Sequence, residues 1–214
     1  MTFSSRLARR ITPPVILSLL MSMPLSGALA ASVSVQLNDA NGKPVADGAV
    51  YAEPLSGQAL PRQLKRSTVE QKSRKFMPLM TVIQTGTEID FPNNDTVRHQ
   101  VYSFSPPKIF ELKLYSGTPG TPILFDKPGS VVLGCNIHDQ MVAYIHIVNT
   151  PYFAKTDASG RARLENLVAG KYMLKAWHYN QSPGGAPADK ELTLAATDVS
   201  AMLALTIKPG SVAN

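Results

Sequence analysis

Residues 134–141 read Gly134-Cys135-Asn136-Ile137-His138-Asp139-Gln140-Met141. A cysteine, a histidine and a methionine fall three residues apart, just after the apolar run Ser130-Val131-Val132-Leu133. Three soft or borderline donors on one turn suit copper. Thiolate and thioether favour Cu(I), and imidazole also holds Cu(II). Cys135 is the only cysteine of the 214-residue chain, so an internal disulfide is excluded. An unpaired cysteine in an exported chain needs a reason. Metal ligation is one; service as a small buried hydrophobe is the other.

Upstream, Phe91-Pro92-Asn93-Asn94-Asp95-Thr96-Val97-Arg98-His99-Gln100-Val101 reads as strand, polar turn, histidine, strand. It puts His99 at a strand start, 36 residues before Cys135. His99, Cys135 and His138 then make a two-histidine, one-cysteine set with Met141 as a weak axial ligand, the donor set of a blue (type 1) copper centre. Each residue also has a plainer reading: core cysteine, turn histidine, loop histidine, core methionine.

On these residues the segment 67–149 resembles the cupredoxin family. The family's first-histidine motif is matched by Phe91, Asn93 or Asn94, Asp95, His99 and Val101, and its terminal loop by Gly129, Cys135, His138 and Met141. The short spacing from His138 to Met141 looks most like the amicyanin branch. The whole chain is similar to proteins described as methylamine-utilisation or plastocyanin-like. The resemblance implies a Greek-key β-sandwich holding one type 1 copper, one-electron transfer with His138 as the electron port, and a redox partner protein. Three positions depart from the pattern. Gln100 stands where many members have asparagine, Ile137 where many have proline, and Asp139-Gln140 where the amicyanin-like loop is apolar.

Outward from this segment, short alternating or apolar runs recur between Gly, Pro, Asn and Asp, and no 3.6-residue period is sustained. Strands are expected at 33–37, 49–51, 79–84, 87–91, 99–104, 110–114, 121–125, 129–135, 141–148, 152–155, 161–165, 171–178, 190–195 and 201–207. Many short strands with turn signals between them mean an all-β sandwich or barrel. Residues 33–51 and 156–178 share Gly-Lys-Pro and Thr-Asp-x-x-Gly turns and resemble the small prealbumin-like sandwich of carboxypeptidase regulatory-like domains. The expected organisation is a cupredoxin sandwich, 67–149, inserted in or joined to a prealbumin-like or Ig-like sandwich made of 32–54 and 151–208. A single enlarged sandwich is the rival. His146 and the run Trp177-His178-Tyr179 read as packing residues.

Residues 1–30 carry Arg6, Arg9 and Arg10, an apolar run from Val15 to Met21, and Ala28-Leu29-Ala30. They read as a cleavable signal peptide that directs the chain to the periplasm. The apolar run is short of the ~20 residues needed to span a bilayer, so no stable membrane insertion is expected. The whole chain carries +6 and the segment after residue 30 carries +3, too little to argue for nucleic acid. A Gly-rich phosphate loop, a serine nucleophile elbow and a second histidine cluster are all missing from the sequence, so a carrier is expected rather than an enzyme. The alternatives are a copper-handling protein and an interaction module with a vestigial site.

Overall fold

The computed structural model describes residues 30–57, 60–61, 66–182, 188–195 and 197–208. All regular structure among them is β. The strands are β1 (Ala30–Asp39), β2 (Ala49–Pro54), β3 (Ser67–Thr68), β4 (Glu70–Lys72), β5 (Lys75–Met77), β6 (Met80–Gln84), β7 (Thr87–Asp90), β8 (His99–Ser103) and β9 (Phe110–Tyr115). They continue with β10 (Ile123–Phe125), β11 (Gly129–Leu133), β12 (Ala143–Val148), β13 (Phe153–Lys155), β14 (Arg161–Val168), β15 (Gly170–Trp177), β16 (Ala188–Leu194) and β17 (Val199–Leu205). The all-β class read from the sequence is what the chain adopts. The signal-peptide reading falls on residues 1–30, which lie outside the described residues apart from Ala30. No helix among the described residues is long and apolar enough to cross a membrane.

The strands surround two hydrophobic clusters. In the first, the sheet β14-β1-β17 and the sheet β13-β2-β15-β16 share one core. Strand β1 shows how: Val33, Val35 and Leu37 are buried while Ser34, Gln36 and Asn38 alternate with them, the period of two expected of a half-buried strand. They meet Leu164, Tyr172, Leu174 and Leu203. β1 runs antiparallel to β14 and parallel to β17. The register slips by one residue where Ala31 pairs with Leu167 and Val33 with Leu164. Asn166 takes up the extra residue at φ 61°, a left-handed conformation that asparagine tolerates well.

The second cluster draws on 69–147, whereas the first draws on 33–52 and 152–205. Phe91, Phe125, Leu133 and Ile145 fill it, between the sheets β10-β7-β3 and β11-β12-β6 and the hairpins β4-β5 and β8-β9. The β4-β5 hairpin turns on Ser73 and Arg74 at φ 53° and 57°. Lys72, Arg74 and Lys75 on this hairpin are exposed.

The two parts meet along β12. The His146 ring stacks on Trp177 at 4.5 Å and 6°, and Tyr144 stacks on Tyr179 at 4.5 Å and 14°. Tyr51 adds a tilted contact to His146 at 5.5 Å. His146 is buried; its Nδ1 lies 3.0 Å from Ser130 Oγ and its Nε2 has no hydrogen-bond partner. Desolvation lowers its pKa to about 4. The packing role read for His146 and Trp177 agrees with these contacts.

Candidate metal centre

The centre is made where β8 meets the continuation of β11. Tyr102 and Gly134 exchange both backbone hydrogen bonds, each 3.0 Å. In an antiparallel pair this register turns Val101, His99 and Cys135 to one face, and all three are buried. The Tyr102 ring lies over Gly134 on the other face: a Cβ at 134 would stand 2.6 Å from Tyr102 Cζ. Glycine is therefore what lets the tyrosine cover the strand just before the cysteine.

Three of the four residues expected from the sequence converge here. His99 Nδ1 is 3.9 Å from Cys135 Sγ, and the His99 and His138 rings are 4.9 Å apart at 58°. One donor atom from each of His99, Cys135 and His138 lies within 4.8 Å of the others. His99 and Cys135 are 0% and 2% exposed, whereas His138 is half-buried. The Met141 N–H donates to the His138 carbonyl at 2.9 Å, closing the loop in a turn. Met141 itself is buried in the same cluster as Cys135. The intervening Asn136, Ile137, Asp139 and Gln140 are exposed.

The donor set includes an otherwise costly atom. His138 Nδ1 is buried and has no hydrogen-bond partner, and buried polar atoms in folded proteins nearly always have one. One thiol and two imidazoles, with a nitrogen left open, fit copper.

The turn before His99 is held tightly. Asn93 Nδ2 donates to the carbonyls of Val97 at 2.9 Å and Tyr115 at 2.7 Å, and its Oδ1 accepts the Asp95 N–H at 3.0 Å. Asn93, not Asn94, is thus the organising asparagine; Asn94 donates to Glu70 at the surface. Asp95 Oδ2 stands 3.0 Å from His99 Nε2 and also accepts the Arg74 N–H at 2.7 Å, while Oδ1 accepts the Thr96 N–H at 2.9 Å. The Arg74 amide, then His99 and the Thr96 amide, hold the Asp95 pKa down at about 2. Sequence reasoning placed Asp95 in the motif but missed its contact with the histidine. The available signal was an acid four residues before a candidate ligand. Gln100, one of the departures, is buried and donates to Glu111 Oε1 on β9 at 2.5 Å.

No family model matches the chain, and no curated protein matches it. Solved structures are similar over part of it. A copper-containing nitrite reductase from Thermus scotoductus is 25% identical, over 45% of this chain and 25% of that one, with a TM-score of 0.37. A purple cupredoxin from Nitrosopumilus maritimus is 18% identical over 38% of this chain and 99% of that one, at 0.35. A reduced variant of amicyanin is 12% identical over 46% of this chain and 99% of that one, at 0.36. The chain spans about a quarter of the nitrite reductase it matches.

Proposed function

We propose that this chain is a type 1 copper protein of the cupredoxin class, acting as a one-electron carrier and not as an enzyme. The observation that carries the reading is the convergence of His99, Cys135 and His138, together with a buried His138 Nδ1 that has no hydrogen-bond partner. Copper held by these residues would supply one-electron chemistry, because thiolate and thioether favour Cu(I) while imidazole also holds Cu(II).

The residues divide the work. Cys135 supplies the thiolate and its burial keeps solvent from the sulfur. His99, wholly enclosed, fixes the position of one nitrogen. Met141, buried in the same cluster as Cys135, would offer its thioether as the weak fourth ligand. His138, half-buried, is the port through which a redox partner protein reaches the site. The chain is read as exported to the periplasm by residues 1–30, with no nucleic-acid partner and no stable membrane insertion. Residues 67–149 form the copper domain, and 32–54 with 151–208 form a second sandwich. The separation of the two hydrophobic clusters supports that division.

The test is a visible spectrum of residues 31–214 after one equivalent of Cu(II). An intense thiolate-to-copper band that bleaches with ascorbate and is absent in Cys135→Ser is expected. A colourless protein that binds Cu(I) tightly and yields it to a modest chelator would replace the carrier with a copper-handling protein. No copper binding in either state would leave a β-sandwich interaction module.

A further inference from the structure

We propose that Asp95 is a positioning residue for the metal: it holds His99 with the proton on Nε2, so that Nδ1 faces the copper, and its negative charge favours Cu(II) over Cu(I). The inference rests on the type 1 reading and deepens it.

A neutral imidazole carries one N–H, and its neighbours decide which nitrogen bears it. At His99 the two nitrogens face different neighbours. Nε2 lies 3.0 Å from a carboxylate oxygen, and Nδ1 lies 3.9 Å from Cys135 Sγ. A carboxylate accepts and does not donate, so the proton belongs on Nε2. That leaves the Nδ1 lone pair pointing to the side where Cys135 and His138 converge. Without Asp95, the competing tautomer would place Nδ1–H against the cysteine sulfur and block a ligand position.

Asp95 is built to stay in place. Besides His99 it accepts the Arg74 and Thr96 amides, and its own N–H is tied to Asn93. The Arg74 amide comes from the β4-β5 turn, twenty-one residues away in sequence. The carboxylate is therefore fixed by two separate segments before any metal arrives. Its side chain is 12% exposed, so water screens its charge only in part. A carboxylate bonded to the far nitrogen of a ligand histidine makes the near nitrogen a stronger donor, and the more highly charged copper state gains more from that.

The first measurement needs no metal. Nitrogen chemical shifts of histidine-labelled apoprotein report which nitrogen of His99 bears the proton. Nε2–H is expected in the wild type and a loss of that preference in Asp95→Ala. An Nδ1–H tautomer in the wild type overturns the positioning half. The second measurement compares Cu(II) and Cu(I) affinities, and the reduction potential, in wild type, Asp95→Asn and Asp95→Glu. Removing a partner of a ligand histidine costs about 10–100-fold in metal affinity, and Asp95→Asn should weaken Cu(II) about tenfold more than Cu(I). That ratio equals a rise in potential of about 59 mV for one electron. Asp95→Glu, which keeps the charge, should return the potential toward the wild-type value, separating charge from a fault in folding. An unchanged Cu(II)/Cu(I) ratio in Asp95→Asn overturns the electrostatic half. A wild-type protein with no thiolate-to-copper band overturns the type 1 reading and the copper half with it, while the metal-free tautomer decides the positioning half by itself.

Discussion

Acidification from pH 7 to 4 should weaken the fold through His146 by up to about 3 kcal/mol. The ring is 7% exposed, stacked on Trp177, and has an Nε2 with no acceptor in reach. A proton added there is a charge without a partner. The folded pKa is lowered by desolvation from 6.5 to about 4, and each unit of difference is worth about 1.4 kcal/mol. The sign follows from which state binds the proton first. Above pH 6.5 both states are neutral and nothing is lost. Below it the unfolded chain gains the proton while the folded chain refuses it, so stability falls by about 1.4 kcal/mol per unit until pH 4. There the folded ring also protonates and the slope ends. A cation over a desolvated indole face is worth about 2 kcal/mol, which trims the loss without reversing it. The assay is urea unfolding at several pH values, followed by fluorescence of Trp177, the only tryptophan. His146→Phe serves as the reference, since His178 and the carboxylates titrate alike in both proteins. A stability difference between the two that stays constant from pH 7 to 4 would refute the reasoning. The copper spectrum should not change in His146→Phe, because Ser130, the cross-strand partner of His146, is five residues from Cys135, about 17 Å along a strand.

Gly160→Ala should cost about 3 kcal/mol in urea unfolding, because a left-handed non-glycine residue costs about 1–2 kcal/mol and its Cβ would lie 2.5 Å from the Leu37 carbonyl oxygen. Gly42→Ala is the contrast: φ is +82° but nothing lies within 4 Å, so only about 1–2 kcal/mol is expected. Thr156→Val keeps the shape but removes a buried hydroxyl that accepts the Gly48 N–H and donates to the Val45 carbonyl, both at 2.8 Å. Two orphaned backbone groups should cost about 2–4 kcal/mol by the same assay. Tyr172→Phe deletes a hydroxyl that donates to the Val168 carbonyl at 2.8 Å, and a loss of about 1 kcal/mol is expected.

What could be read from the sequence was local. β1, β8, β12 and β17 show themselves because alternation or apolar runs follow from which face a strand buries. Cys135, His138 and Met141 sit on one turn, so spacing alone brings them together. His99 needed only a strand start and a family motif. The rest depends on contacts that periodicity does not encode. The β4-β5 turn uses Ser73 and Arg74 at positive φ, without the Asn-Gly signal that marks most such hairpins. Missing that hairpin hid the Arg74 amide, and so hid why Asp95 is held against His99. Asp95 by itself looks like an ordinary turn residue. The stack of His146 on Trp177 joins strands of different clusters, and nothing within either strand announces it.

The place of β1 sets an order of assembly. It lies between β14 and β17, so neither edge is paired until residues 161–168 and 199–205 exist. A chain emerging N-terminus first delivers this strand early and its neighbours late. The cluster around Cys135 needs nothing beyond residue 147, so it can close while β1 still waits with both edges open. Long-range pairing of this kind is slow to form, and an open apolar strand is a nucleus for intermolecular pairing. The polar residues Ser34, Gln36 and Asn38 on its outer face then matter most before the sheet exists, when they keep the waiting strand from finding another copy of itself.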